Sequence, residues 1–361
     1  MSVSKRSFQL VAWFSLAIFL LATIACNNNG GSGSGSGSAT LQGAGASFPS
    51  PLYQKWLSEY GKLHPNVKID YQSIGSGGGI KQLKEQTVDF GASDAPMTDA
   101  DLKSAPGEIV HVPTVLGAVV ITYNLEGMKQ PLRFSSEVLA DIFLGKIKKW
   151  NDSKIAADNP GVTLPTSDVT VIHRSDSSGT SAVFTDYLSK VSPEWKEKVG
   201  SGVSPTWPVG IGGKGNEGVT GQVKNTPNTI GYVELVYAVK NNLPVAHIKN
   251  ASGNFIEPSI DAVTAAAAAS AASMPDDLRV SITNAAGAQA YPISSYTYIL
   301  VYKDQKDAAK GKALVDFLWW GIHDGETFGK ELQYAPLPAD VVKKAETKIN
   351  SVTANGAALR S

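Results

Sequence analysis

From residue 39 onward, short apolar or alternating runs are separated by stretches in which apolar residues recur at helical spacing. Residues 67–71 and 169–172 alternate at period two, which predicts half-buried strands. The short, largely apolar runs at 88–91, 117–123, 230–233 and 298–302 are candidates for buried ones. Helical faces are predicted through Leu52, Trp56, Leu57 and Tyr60, through Val183, Phe184, Tyr187, Leu188 and Val191, and through Leu314, Phe317 and Leu318. This alternation of strand and helix predicts an α/β architecture. Residues 264–274 form an Ala-rich run with high helix propensity and little to anchor it, read as a surface helix without chemistry.

Three segments share one local pattern of Gly and Ser or Thr in a turn ahead of a helix: 43–48 (GAGASF), 74–79 (IGSGGG) and 176–180 (DSSGT). The helices are expected near 51–61, 80–86 and 181–190. A helix start leaves N–H groups unpaired and carries partial positive charge, so a hydroxyl there either caps the helix or helps to hold an anion. Any one such turn is commonly just a cap; three after strand-like segments raise the case for one shared anion site. Arg174 and Asp176 follow the strand at 169–172, at the carboxyl edge where open α/β sheets place ligands. The Arg can present a bidentate fork to a tetrahedral oxyanion. Asp94 follows the run at 88–91; its carboxylate would repel a fully ionised anion yet accept a hydrogen bond from one that retains a proton.

Composition and charge narrow the function classes. The 361 residues hold 32 Lys+Arg against 32 Asp+Glu, which offers no surplus cation for a nucleic-acid backbone. Hydrophobic residues at 42% and charged ones at 18% suit a globular body, and the length suggests two domains. The five histidines lack metal-ligand spacing, and one cysteine makes neither a disulfide framework nor a zinc site. No P-loop or GxSxG elbow occurs. Residues 210–215 match GxGxxG, but Pro205 and Pro208 just upstream disfavour a strand, so a glycine-rich loop is expected. Trp319 and Trp320 lie on an apolar stretch and are expected in the core.

The N-terminus reads as an export signal. Lys5 and Arg6 precede an uncharged run from Phe8 to Ala25, closed by Thr23-Ile24-Ala25-Cys26. The run ends at the only Cys, as in a bacterial lipobox, although Thr23 and Ile24 depart from its usual residues; an uncleaved signal anchor is the alternative. Without Lys5 and Arg6 the balance is 30 positive to 32 negative charges, or about −2. Residues 27–38 (NNNGGSGSGSGS) have nothing apolar to bury and read as a flexible tether with a root-mean-square span of ~20 Å.

These motifs carry a resemblance. From about Leu41 to Pro338 the chain closely resembles the extracytoplasmic phosphate-binding protein of the bacterial phosphate-specific ABC transporter, the PstS family. The match includes GAGASFPSPLYQKW (43–56), YQSIGSGGGIKQ (71–82), VDFGASDAPMTD (88–99), LGKIKKWND (144–152), HRSDSSGTSAVFTDYL (173–188), WPVGIGGKGNEGV (207–219) and IGYVEL (230–235). The resemblance implies a two-lobed periplasmic-binding-protein fold of type II, each lobe a mixed sheet flanked by helices, with two crossing strands as hinge. Lobe I would comprise 39–119 and 291–361, lobe II 120–290, with the crossings near 118–121 and 287–293.

It also implies a dehydrated inorganic phosphate held by Ala46, Ser47, Phe48, Ser76, Asp94, Arg174, Ser178, Gly179 and Thr180. Asp176 would orient the arginine. Ser47 stands where the family often has Thr, which keeps the hydroxyl, and His173 stands where a second Arg can occur. The expected partners are phosphate, the permease subunits of the transporter and a membrane reached through a lipid on Cys26. No cofactor, metal, nucleic acid or catalysis is expected, and the chain is expected to be a monomer outside the cytoplasm. A secreted phosphatase with a Ser or Asp nucleophile, a phosphate sensor or scaffold, and a sulfate-type receptor are the competing functions.

Overall fold

The structure is a computed structural model, and it describes residues 38–128, 130–271 and 274–360. Eight strands build its main sheet: β1 (Ala39–Gly45), β2 (Val67–Ser73), β3 (Phe90–Ser93), β4 (Ile109–Asn124), β5 (Thr170–Arg174), β6 (Ile211–Gly213), β7 (Thr229–Glu234) and β8 (Ser294–Tyr302). Their order is β2-β1-β3-β8-β4-β7-β5-β6. β4 is the shared member. Its residues 109–118 pair antiparallel with β8, from Ile109 opposite Tyr302 to Ala118 opposite Ser294. Residues 119–124 then pair antiparallel with β7, from Val119 opposite Glu234 to Asn124 opposite Thr229. One half of the sheet thus belongs to β2-β1-β3-β8 and the other to β7-β5-β6, and the hand-off falls between Ala118 and Val119.

This strand is longer than the apolar run that predicts it, because 109–116 is equally buried although Pro113, Thr114 and His111 interrupt its apolar character. β1 has no counterpart in the sequence reading. Its GAG terminus reads as a turn, yet it lies between β2 and β3 with Leu41 and Ala44 buried on it. β3 sits two residues later than the 88–91 run, which carries Asp94 to the residue just past the strand.

Six helices position the site or cover the sheet: α1 (Ser50–Leu63), α2 (Ser76–Lys84), α3 (Gly179–Val191), α4 (Gly215–Asn225), α5 (Leu235–Lys240) and α6 (Ile260–Ala271). α1 starts with Pro in its first turn, where a missing N–H costs nothing, and buries Leu52, Tyr53, Trp56 and Tyr60. The indole of Trp56 donates to Gly325 O at 2.7 Å, satisfying its one polar atom inside the core. α2 begins at Ser76, four residues before the expected start, so the GGG run is helical rather than a turn. Close packing explains the glycines: a Cβ on Gly77 would collide with Ser177 Oγ, and one on Gly79 would lie 2.5 Å from Ala44 O. α3 is capped by Ser178, whose Oγ accepts from Ser181 N at 3.0 Å.

Two expectations are corrected. Residues 210–215 are not a loop: Ile211–Gly213 forms the edge strand β6 parallel to β5, and α4 starts at Gly215. The prolines at 205 and 208 precede the strand and so leave its ladder intact. The Ala-rich segment is not merely superficial either, since α6 buries Ala262, Val263, Ala266 and Ala267 on its sheet-facing side. Alanine gives no amphipathic contrast, so the buried face was invisible in the residue pattern. Trp320 is buried, whereas Trp319 is half-buried beneath Arg360, 3.9 Å from its ring centre.

Candidate functional site

The carboxyl ends of β1, β3, β5 and β6, together with the start of α2, bring the predicted residues into one buried cluster. Ser47, Ser76, Asp94, Arg174, Ser178 and Thr180 are each 3% exposed or less. Arg174 leaves the end of β5 and is gripped by Asp176, with Nε to Oδ1 at 2.7 Å and Nη2 to Oδ2 at 2.6 Å. Gly215 N at the start of α4 also donates to Asp176 Oδ1, at 3.0 Å. Burial alone would raise the Asp176 carboxyl, but the Arg174 fork and this N–H hold it below the ordinary range. Arg174 Nη1 donates onward to Thr180 Oγ1 at 3.3 Å, which leaves guanidinium N–H groups over for a ligand.

Helix starts supply the neutral donors. The N–H groups of Ser47, Phe48, Ser76, Gly179 and Thr180 have no protein acceptor among the described residues. Ala46 differs from its neighbours: its N–H goes to Ala92 O at 3.0 Å and its carbonyl accepts from Tyr71 Oη at 2.6 Å. The turn therefore offers amides from Ser47 and Phe48 only. Gly179 is required by contact, because a Cβ there would strike both Ser76 Oγ and Asp94 Oδ2. That contact brings α2, the end of β3 and the start of α3 to a single point. Gly75, with φ +86°, sits where a Cβ would lie 2.5 Å from Asp176 Oδ2.

Asp94 is the acidic member of this cluster. Its Oδ1 accepts from Thr297 Oγ1 at 2.9 Å, and its Oδ2 is buried without any partner. Burial pushes its carboxyl up to about 7, against the pull of the Thr297 hydroxyl, Arg174 and Ser76. An unpaired buried acceptor among N–H groups, hydroxyls and one guanidinium is an arrangement for a tetrahedral oxyanion that carries a proton. Among the described residues, no group of three or more His, Cys, Asp or Glu side chains could hold a metal ion.

A model of the PBP superfamily domain matches residues 30–319. The phosphate-binding protein PstS of Xylella fastidiosa (strain 9a5c) is 47% identical over 307 residues, 85% of this chain and 84% of that one. Its counterpart from Pasteurella multocida is 46% identical over 347 residues, 96% of each chain. This chain belongs to the PstS family of the PBP superfamily. Among solved structures, the phosphate-binding protein of Stenotrophomonas maltophilia superposes with a TM-score of 0.67 at 20% identity, covering 88% of this chain and 96% of that one. An ABC-type phosphate transport receptor from Vibrio cholerae gives 0.55 at 17%, covering 82% and 100%. At those identities the likeness speaks for the fold, which is the two-lobed α/β fold of that superfamily.

Within this PstS-family cluster, four residues escape the motif reading. Thr297, on β8, reaches Asp94 from 203 positions away in sequence. The β4–β8 register slips between Thr297 and Tyr298, leaving Thr114 without an opposite residue, and the local bulge coincides with the re-aimed hydroxyl. Asn216, in the first turn of α4, donates to Ser47 and Thr180. Tyr237 on α5 donates from Oη to Ser47 O at 2.6 Å. Glu234 ends β7 fully buried, with Oε2 accepting from Val236 N and Oε1 unpaired. Burial raises its carboxyl well above the ordinary range. Asn216 and Glu234 fall inside the quoted motifs, where a count of donors and acceptors at helix starts could have singled out Asn216. Nothing local marks Thr297. His173 stays outside the cluster, stacked on Trp207 with its Nδ1 3.0 Å from Arg174 O.

Proposed function

We propose that this protein binds inorganic phosphate, as the hydrogen phosphate ion, between its two lobes and delivers it to the permease of an ABC transporter. The observation that carries this reading is the unpaired, fully buried Oδ2 of Asp94, set among donors. Desolvating phosphate requires a nearly complete replacement of its water shell. Hydroxyls of Ser47, Ser76, Ser178 and Thr180, the amides of Ser47, Phe48, Ser76, Gly179 and Thr180, and the free N–H groups of Arg174 supply the donors. Asp94 Oδ2 accepts the one proton that hydrogen phosphate carries and sulfate lacks at neutral pH. The relatives named phosphate-binding protein PstS support the same ligand class.

The lobes are assigned as 39–119 with 291–361, and 120–290. The register change at Ala118/Val119 supports a hinge there, with the return crossing just before β8. Closure is favoured by contacts made only between lobes, including Ser47 to Asn216 and Tyr237, and Gly77 N to Ser177 O at 3.0 Å. The closed body is what a permease recognises; the chain does no chemistry itself and acts as a monomer. Export, lipidation at Cys26 and the 27–38 tether complete the reading of an extracytoplasmic, membrane-anchored receptor. Cys26 and the apolar run before it lie outside the described residues.

Calorimetric titration of the anion-stripped protein at pH 7 tests this. One-to-one phosphate binding with no sulfate heat is expected. Sulfate binding at least as well as phosphate would overturn the ligand, and silence toward both would overturn the receptor.

A further inference from the structure

We infer that Asn216 is a positioning residue that fixes the hydroxyls of Ser47 and Thr180 as donors to the bound anion. The inference rests on the phosphate-binding reading above and adds to it the residue that sets the polarity of two of its groups. Asn216 is fully buried at the start of α4. Its Oδ1 accepts from Glu234 N at 2.9 Å. A backbone N–H can only donate, so this bond settles which side of the amide carries oxygen. The Nδ2 group must then lie on the other side, where it donates to Ser47 Oγ at 2.8 Å and to Thr180 Oγ1 at 3.2 Å.

Each hydroxyl also meets a second obligatory donor. Ser47 Oγ accepts from Asn216 N at 3.2 Å, and Thr180 Oγ1 accepts from Arg174 Nη1 at 3.3 Å. A hydroxyl has two lone pairs and one proton. With both lone pairs of each oxygen engaged by groups that cannot accept, only the two protons remain to be placed. Neither proton has a protein acceptor among the described residues, and an anion held between the two oxygens is the partner that would take both.

The same arrangement ties the lobes together, since Ser47 follows β1 while Asn216 and Thr180 start helices of the other half. It also bears on selectivity. With both of these hydroxyls held as donors, neither can accept a proton from the ligand, which leaves Asp94 Oδ2 as a charged acceptor for it.

A double-mutant cycle tests the inference by calorimetric titration with inorganic phosphate. Asn216→Ala is expected to weaken phosphate binding about tenfold or more in the otherwise unaltered protein, the scale of a hydrogen bond to a charged group. In a Ser47→Ala background the same substitution should cost markedly less, and likewise in a Thr180→Val background, because the hydroxyl it acts through is gone. A merely structural residue would cost the same in every background. Should Asn216→Ala fail to fold, Asn216→Asp keeps the acceptor for Glu234 N and nearly the same shape. Its carboxylate takes the two hydroxyl protons instead of donating, and an affinity loss that again shrinks in the Ser47→Ala background is expected. Equal losses with and without the hydroxyls, or binding within twofold of the unaltered protein, overturn the inference while leaving the phosphate reading intact. Absence of phosphate binding by the unaltered protein would overturn that reading and this one with it.

Discussion

Asp94→Asn separates the acid's role in the site from its cost to the fold. In the anion-free protein the Asp94 carboxyl is raised from 3.8 to about 7, with burial the leading cause. The folded state therefore binds its proton more tightly than the unfolded chain does. Stability is fully present below the unfolded value near 4 and is lost as pH rises toward 7, after which the deficit is constant. A displacement of about three units corresponds to ~4 kcal/mol. Asparagine is nearly the same shape, can still accept from Thr297, and has no charge to desolvate. The variant and the original should thus unfold at similar urea concentrations near pH 4. By pH 8 the anion-free variant should be the more stable by up to ~4 kcal/mol. Glu234 also titrates in both proteins, and because the Asp94 charge raises it further, the difference reports Asp94 together with its coupling to Glu234. Urea titrations of anion-stripped protein between pH 4 and 8, followed by Trp fluorescence, measure that difference. A gap that stays constant over the whole range would refute the buried-acid argument. In the same variant the introduced side-chain amide faces the ligand where Oδ2 stood, so sulfate should gain on phosphate. An unchanged phosphate-to-sulfate ratio would show that Asp94 does not read the proton.

Asp176→Asn removes the charge that holds the buried Arg174, whose side chain is 1% exposed, and leaves a cation without its partner. A loss of about 3 kcal/mol in urea unfolding is expected, together with weaker phosphate binding in titration. Tyr237→Phe deletes a hydroxyl that spans the lobes to Ser47 O, and calorimetry should find phosphate affinity lowered by roughly tenfold while the free protein's melting temperature falls little. Gly179→Ala places a methyl against Ser76 Oγ and Asp94 Oδ2, so small-angle scattering should report an open molecule that fails to contract when phosphate is added. Cys26→Ser should move the protein from the membrane fraction to the soluble extracytoplasmic fraction on cell fractionation; retention in the membrane would favour the uncleaved anchor.

The candidate site was legible in the sequence to the extent that its chemistry is local. Ser47, Ser76 and 178–180 announce themselves because hydroxyls and glycines cluster where a strand gives way to a helix, and Arg174 and Asp176 because two residues suffice to make a fork at a strand end. Asp94 was visible for the same reason, one residue beyond β3. What the sequence could not convey is which of those groups donate and which accept. That polarity depends on residues remote in sequence: Thr297 fixes one oxygen of Asp94 from β8, and Asn216 engages Ser47 from 169 positions away. Both owe their placement to topology, because β4 joins the halves whose helix starts then face each other. Even the misread 210–215 segment follows this logic. Its glycines suggested a loop, but they let the edge strand β6 turn directly into α4, and that turn delivers Gly215 N to Asp176 and Asn216 to two hydroxyls. A glycine motif in such a fold is therefore best judged by the residue it delivers, since here the side chain that engages Ser47 and Thr180 lies immediately after the motif's last glycine.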